Sequence, residues 1–111
     1  MMDNHFLKVE DARALEDLLT RSQKTPVIIF KHSTTCPISA SAYREMQQVH
    51  NEVNLIEVQS SSALSLEIEK KFGIRHESPQ VIVLRYGKAV WNASHWQIKA
   101  NAVTTAVLDN S

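Results

Sequence analysis

The chain has 111 residues, a length typical of a single domain. Hydrophobic residues make up 43% of it and charged residues 22%, which is the balance of a globular protein and argues against a disordered chain. Twelve basic residues match twelve acidic residues, and no apolar run approaches the ~20 residues of a membrane-spanning helix. We therefore expect one domain over residues 1–111, with neither a nucleic acid nor a membrane as partner.

Cysteine usage narrows the class of protein further. The chain has a single cysteine, Cys36, so an intramolecular disulfide and a zinc site made only of cysteines are both excluded. The N-terminal residues have neither the basic region nor the apolar stretch of a signal peptide. Together these features predict a protein of the reducing cytoplasm.

Apolar spacing and turn residues predict eight elements in chain order. They are a helix over Val9–Leu19, a strand over Val27–Phe30, a helix that begins at Pro37, a strand over Asn54–Gln59, a helix over Ala63–Phe72 that ends at Gly73, strands over Gln80–Arg85 and Ala89–Asn92, and a helix over Gln97–Leu108. The first two strands are joined through a helix and must pair in parallel, whereas the last two form an antiparallel hairpin. This order predicts an α/β fold with a mixed four-stranded sheet flanked by helices.

Cys36 is the main candidate for chemistry. It follows a buried strand and precedes Pro37, a residue favoured at the first position of a helix, so it is predicted to be the N-cap residue at the carboxyl end of a central strand. A thiolate at this position can accept hydrogen bonds from the N–H groups of Ile38 and Ser39, and the helix dipole adds positive potential. Both effects lower the pKa of a thiol. The alternative is a small buried hydrophobic residue, but the neighbouring serines and threonines are polar and favour a reactive thiol.

The segment Cys36-Pro37-Ile38-Ser39 is a Cys-x-x-Cys motif in which serine replaces the second cysteine. The Ser39 hydroxyl can donate a hydrogen bond to the Cys36 thiolate, but it cannot resolve a mixed disulfide. Such a site takes up a small thiol and releases it only to another, external thiol.

Pro79 is the second feature of interest, because it precedes an apolar strand. The sequence leaves the isomer of the Ser78–Pro79 bond open. A cis bond there would expose the Ser78 backbone as an extended edge that holds a thiol substrate by main-chain hydrogen bonds.

Two stretches of the chain resemble known redox proteins. The region Phe72-Gly73-Ile74-Arg75, followed by Pro79, an apolar strand and Gly87-Lys88, resembles the second half of thioredoxins, and Lys31–Ser39 resembles the active-site loop of glutaredoxins and thioredoxins. The combination of Thr35-Cys36-Pro37-Ile38-Ser39, His76-Glu77-Ser78-Pro79 and Asn92-Ala93-Ser94-His95-Trp96 is similar to the monothiol bacilliredoxins, the YtxJ-like general-stress family. This resemblance covers essentially the whole chain.

The resemblance implies a thioredoxin-like fold, a cis proline at Pro79 and an enzyme that removes bacillithiol from bacillithiolated proteins. Bacillithiol would be the thiol co-substrate, no cofactor would be tightly bound, and a thiol reductase is a further possible partner. Two departures from ordinary thioredoxins stand out, because no tryptophan precedes Cys36 and Ser39 replaces the resolving cysteine. We assign catalysis to Cys36 and Ser39 and predict no metal site. Substrate contact is assigned to Thr35, Pro37, Ile38, Ser78 and Pro79.

Other polar and aromatic residues near the motif carry weaker signals. His32 and His76 lie in the two loops predicted to flank Cys36, where either can supply a proton, but solvent-exposed loop histidines are the favoured interpretation. Lys31 is either an attractor of an anionic thiol or a solvated residue at a strand end. Tyr43 is predicted to face the core. Trp91 and Trp96 are interpreted as packing residues, with no catalytic role.

Two further functions stay open at this point. In the first, Cys36 ligates an iron–sulfur cluster in a dimer, with the small thiol as a second ligand, as a monothiol glutaredoxin-like protein would do. In the second, the chain is a redox-inactive interaction domain in which Cys36 only packs. The sequence alone does not distinguish bacillithiol from glutathione or coenzyme A.

Overall fold

The computed structural model describes residues 5–111 of the chain. The described residues form five strands, four α-helices and one short 3-10 turn. In chain order these are β1 (Phe6–Lys8), α1 (Ala12–Arg21), β2 (Val27–His32), α2 (Pro37–Met46), β3 (Val53–Glu57), α3 (Ser62–Phe72), β4 (Gln80–Arg85), β5 (Lys88–Ser94), the 3-10 turn (His95–Gln97) and α4 (Ala100–Asp109).

The strands form a single mixed sheet in the order β1-β3-β2-β4-β5. Strands β1 and β2 pair with β3 in parallel, whereas β4 pairs with β2 and with β5 antiparallel. The predicted α/β fold with a mixed sheet flanked by helices is confirmed, but the predicted number of four strands is wrong, because β1 adds a fifth.

The missed strand is short and lies at an edge of the sheet. Phe6 is half-buried, whereas Leu7 and Lys8 are exposed, so the segment shows neither a continuous apolar run nor a clear alternation. Pairing with β3 along Val53–Leu55 defines this strand, and no local pattern in the sequence reveals that partner.

Two predicted helices begin later in the structure than expected. Asp11 has extended backbone and its carboxylate accepts a hydrogen bond from the Ala14 N–H at 2.9 Å, so α1 begins after it and not at Val9. His95 has a φ of 54° and opens a separate turn, so α4 begins at Ala100 and not at Gln97. The predicted end of α3 is confirmed, because Gly73 has the left-handed φ of 67° that glycine adopts without strain.

Each face of the sheet is covered by two helices. Side chains alternate along a strand, so Ile28 and Phe30 of β2 pack with residues of α2 and α4, while Val27 and Ile29 pack with residues of α1 and α3. Strand β2 is therefore buried on both faces, which explains its continuous apolar sequence.

The buried side chain of Arg85 joins several elements at the end of the sheet where β4 finishes. The Arg85 side chain donates from Nε to the Asn110 carbonyl at 2.8 Å and from Nη1 to the Ser22 carbonyl at 3.2 Å. Ser22 also accepts from the Tyr86 N–H through its carbonyl and from the Gly87 N–H through its hydroxyl. The end of α1, the β4–β5 turn and the C-terminus thus share one hydrogen-bond network, which we call the Arg85 network.

Candidate active site

The topology brings three segments together at one end of the sheet, where strands begin or finish. Because β2 and β3 run parallel and β4 runs antiparallel to β2, the ends of β2 and β3 and the start of β4 lie side by side. The register pairs Lys31 of β2 with Gln80 of β4. The loop that carries Cys36 begins directly after His32, the last residue of β2. The predicted position of Cys36 at the carboxyl end of a central strand is confirmed.

Cys36 is the N-cap residue of α2, with extended backbone and Pro37 in the first turn of the helix. Its side chain is half-exposed. The backbone N–H of Ser39 lowers the pKa of the Cys36 thiol most, followed by the backbone N–H of Ile38, and the Ser39 hydroxyl adds to them against the opposing effect of burial. The neutral thiol makes no capping hydrogen bond, as expected for a weak acceptor, so these groups act mainly on the thiolate.

Ser39 is held in place to support that thiolate. Its side chain is fully buried, and its Oγ accepts a hydrogen bond from the Ser33 N–H at 3.2 Å. Because the oxygen already accepts there, the hydroxyl proton is available to donate to the Cys36 sulfur. The loop before Cys36 and the helix after it are thereby joined through the residue that replaces a second cysteine.

Gln59 holds the same loop from the neighbouring strand end, and the sequence analysis missed it. Its Nε2 donates to the hydroxyls of Ser33 at 2.8 Å and Thr35 at 3.1 Å, and its Oε1 accepts from the Thr34 N–H at 3.3 Å. The available signal was a polar residue just after β3, since strands that run parallel end at the same edge of the sheet. The prediction from sequence placed Gln59 instead at the end of the strand over Asn54–Gln59, whereas β3 ends at Glu57.

The remaining predicted contact residues lie next to Cys36 in the chain or directly before the start of β4. Thr35 and Pro37 are exposed and Ile38 is half-buried. The Ser78–Pro79 bond is cis, and Pro79 is buried with its carbonyl accepting from the His95 N–H at 3.0 Å. Within residues 5–111, the main-chain groups of Ser78 have no backbone partner, and its buried Oγ has none either.

Lys31 lies beneath this loop as a buried ammonium group, so the interpretation as a solvated strand-end lysine is wrong. The side chain is 0% exposed, and its Nζ lies 2.8 Å from Nδ1 of His76. Burial lowers the pKa of Lys31 to about 8, against the opposing attraction of Glu69 and Glu77. Helix α3 covers this face of β2, which is why a lysine at the strand end meets no solvent.

The two histidines near the site are not the solvent-exposed residues that were expected. His76 lies in the predicted loop but is half-buried, and burial together with the Lys31 ammonium lowers its pKa. Its Nδ1 accepts from Lys31, so a neutral His76 carries its proton on Nε2. His32 belongs to β2 and is 9% exposed, and burial lowers its pKa as well.

The aromatic residues divide between core and surface. Tyr43 packs against the core as predicted, and Trp91 is a partly buried core neighbour. Trp96 is 62% exposed on the 3-10 turn, so its interpretation as a packing residue is wrong. That turn packs against α2.

Residues 5–111 contain neither a cluster of metal ligands nor a membrane-spanning helix. No group of three or more histidine, cysteine or acidic side chains is placed to hold a metal ion. Likewise, no helix in this part of the chain has the length and apolarity needed to cross a membrane.

Comparison with known proteins agrees with this geometry. A family model described as monothiol bacilliredoxin BrxC matches residues 7–103. The structure is similar to one described as an oxidoreductase with a thioredoxin fold, at 30% identity and a TM-score of 0.87, covering 95% of this chain and 96% of that chain. Thioredoxins from Halobacterium salinarum (18% identity, TM-score 0.73, 95% and 89% covered) and Fasciola hepatica (11%, 0.74, 95% and 99%) share the fold. The chain therefore belongs to the monothiol bacilliredoxin family and is a thiol–disulfide oxidoreductase of thioredoxin fold.

Proposed function

We propose that this enzyme acts in the cytoplasm and removes bacillithiol from mixed disulfides on proteins through Cys36. The observation that supports this most is a half-exposed N-cap cysteine, with a pKa lowered by helix N–H groups, in a chain that has no second cysteine. A single thiol of this kind can accept a small thiol but cannot release it by forming an internal disulfide.

The reaction consists of two thiol–disulfide exchanges. In the first, the Cys36 thiolate attacks the bacillithiol sulfur of a protein–S–S–bacillithiol disulfide. A disulfide forms between Cys36 and bacillithiol, the original disulfide breaks, and the protein thiolate leaves and takes a proton from water. In the second, an external thiolate attacks the bacillithiol sulfur on Cys36, which restores the Cys36 thiolate and leaves bacillithiol in a new disulfide. That external thiolate comes from a second bacillithiol or from a thiol reductase.

The surroundings of Cys36 have distinct roles in these steps. The N–H groups of Ile38 and Ser39 stabilise the thiolate before attack and after release, and the Ser39 hydroxyl donates to it. The unpaired main-chain groups of Ser78 hold the extended segment of the substrate that carries the disulfide. No step requires a tightly bound cofactor.

Intact-mass spectrometry tests this proposal. The reduced protein is mixed with a bacillithiolated model protein, and separately with the disulfides of bacillithiol, glutathione and coenzyme A at equal concentration. We expect one bacillithiol mass on the wild type, none on Cys36→Ser, and faster formation than with the other two thiols. Equal rates for all three would contradict the bacillithiol assignment. The absence of any adduct would contradict the exchange mechanism, and iron–sulfur absorbance of anaerobically purified protein would favour the cluster-binding alternative.

A further inference from the structure

A cleft of about 280 Å³ lies beside the loop that carries Cys36. It is lined by residues of the β2 end, the loop and one face of α2, namely His32, Ser33, Thr34, Ala40, Tyr43 and Arg44. Ala40 stands one helical turn after Cys36, and its N–H donates to the Cys36 carbonyl at 3.1 Å. The cleft therefore begins about one turn, roughly 5–6 Å, from the reactive residue and continues along the same face of α2.

The buried wall of this cleft contains a polar group without a partner. His32 is 9% exposed, its ring lies 5.0 Å from the Tyr43 ring and 5.5 Å from the Phe30 ring, and its Nδ1 has no hydrogen bond within residues 5–111. A neutral imidazole offers one donor and one acceptor, and leaving either unpaired in a buried place is unfavourable. The proposed mechanism does not use this side chain.

The open side of the cleft carries a positive charge. Arg44 is exposed and forms no ion pair within the described residues. Glu57 lies opposite His32 in the β2–β3 register, and its carboxylate is already paired with Lys8 at 3.3 Å. The cleft thus offers an unpaired guanidinium to an anionic group, a geometry that suits carboxylates.

We infer that this cleft binds the carboxylate-bearing part of the low-molecular-weight thiol while the sulfur of that thiol is bonded to Cys36. The inference rests on the proposed function and adds a recognition site to it. Arg44 pairs with the carboxylate, and His32 provides a neutral polar group at the buried wall. The cleft volume is near the lower end of small-molecule sites, which run from about 300 Å³ upward, so it suits a small thiol and not a folded partner.

This arrangement explains how the enzyme distinguishes the two sulfurs of a mixed disulfide. With the small thiol held along α2, its sulfur lies nearest Cys36 and the protein sulfur is placed as the leaving group. Once the Cys36 disulfide has formed, the tether keeps the small thiol at high effective concentration, so weak contacts suffice to hold it.

A charge-reversal experiment tests the role of Arg44. The rate of adduct formation on Cys36 is measured with oxidised glutathione, which carries carboxylates, and with its fully esterified ethyl ester, in which every carboxylate is blocked and the skeleton is unchanged. For Arg44→Glu we expect the rate with oxidised glutathione to fall about fivefold or more and the rate with the ester to change less than about twofold. Arg13→Glu makes the same change in net charge on an exposed position of α1, on the opposite face of the sheet, and should leave both rates unchanged.

A second variant tests the cleft itself without changing charge. Ala40 is exposed, so Ala40→Phe narrows the cleft while the fold is kept. In this variant, adduct formation on Cys36 should be slower with oxidised glutathione and with its ester, relative to the rate with the small 2-hydroxyethyl disulfide. The inference would be overturned if Arg44→Glu left the ratio of the two adduct-formation rates, ester to acid, unchanged, or if Arg13→Glu changed that ratio equally. Either result would leave the Cys36 chemistry intact. If the wild type formed no adduct with any disulfide, the proposed function would fail first, and the cleft inference with it.

Discussion

Replacing Lys31 with methionine removes a buried ammonium group from beneath the Ser78–Pro79 edge. The ordinary lysine pKa is 10.5 and burial lowers that of Lys31 to about 8, so the folded state disfavours the charged form by about 3 kcal/mol. Methionine fills a similar volume without charge, but it gives up the hydrogen bond to His76, at a cost of about 1 kcal/mol. We expect Lys31→Met to raise the free energy of unfolding by about 2 kcal/mol at pH 7.

The sign of the pH dependence follows from the direction of the pKa shift. Between the folded pKa of about 8 and the unfolded value of 10.5, the unfolded chain binds more protons at Lys31 than the folded protein does. The wild type therefore gains about 3 kcal/mol of stability as pH rises through this window, and loses that contribution as pH falls through it. The methionine variant gains nothing from this residue, so its advantage over the wild type should disappear at high pH.

Urea unfolding of both proteins, followed from about pH 7 to about pH 10, measures this difference directly. Titrating groups that do not interact with Lys31 contribute equally to both proteins and cancel when the two curves are subtracted. Lys88→Met, at an exposed position of β5, serves as the control for replacing a lysine with methionine where the side chain is solvated. A constant difference between Lys31→Met and the wild type over this range would refute a lowered pKa for Lys31.

Three further outcomes are expected at the thiol site. The alkylation rate of Cys36 should titrate with a midpoint below that of a free cysteine, and Ser39→Ala should raise this midpoint; a wild-type midpoint equal to that of a free cysteine would contradict the helix effect. Ser39→Cys should lose the small-thiol adduct and two hydrogens by forming an internal disulfide, whereas the wild type keeps the adduct; a stable adduct on the variant would mean that the two side chains do not meet. Gln59→Ala should slow thiol–disulfide exchange several-fold while changing the free energy of unfolding by less than about 1 kcal/mol. The control Gln48→Ala should leave the exchange rate and the stability as they are in the wild type. Equal exchange rates for Gln59→Ala and the wild type would show that the loop needs no support from Gln59.

The sequence predicts best those parts of the fold whose local pattern agrees with their surroundings. The bounds Gln80–Arg85 of β4 are confirmed to the residue, because a continuous apolar run suits a strand buried on both faces. The N-cap position of Cys36 follows from the Cys-Pro step alone. The edge strand at Phe6–Lys8 has no such pattern, since it exists only through its pairing with β3.

The polar residues near the site were harder to place, for a physical reason. Lys31 and His32 are polar and precede a polar loop, so local sequence favours exposure, but helices pack over both faces of the strand that contains them. Burial of such residues depends on contacts with α2 and α3, which are distant in sequence. Gln59 was missed for the same reason, because its partners belong to a loop more than twenty residues earlier.

The Arg85 network has a consequence for local opening of the structure. It closes the sheet end where β2 begins and β4 ends, whereas Cys36 lies at the opposite end, beside an exposed loop. Amide hydrogens of Tyr86 and Gly87 should therefore exchange with solvent deuterium far more slowly than that of Thr34. Because the Arg85 network holds the other end together, we expect local opening to begin at the Cys36 end while the rest of the sheet stays folded.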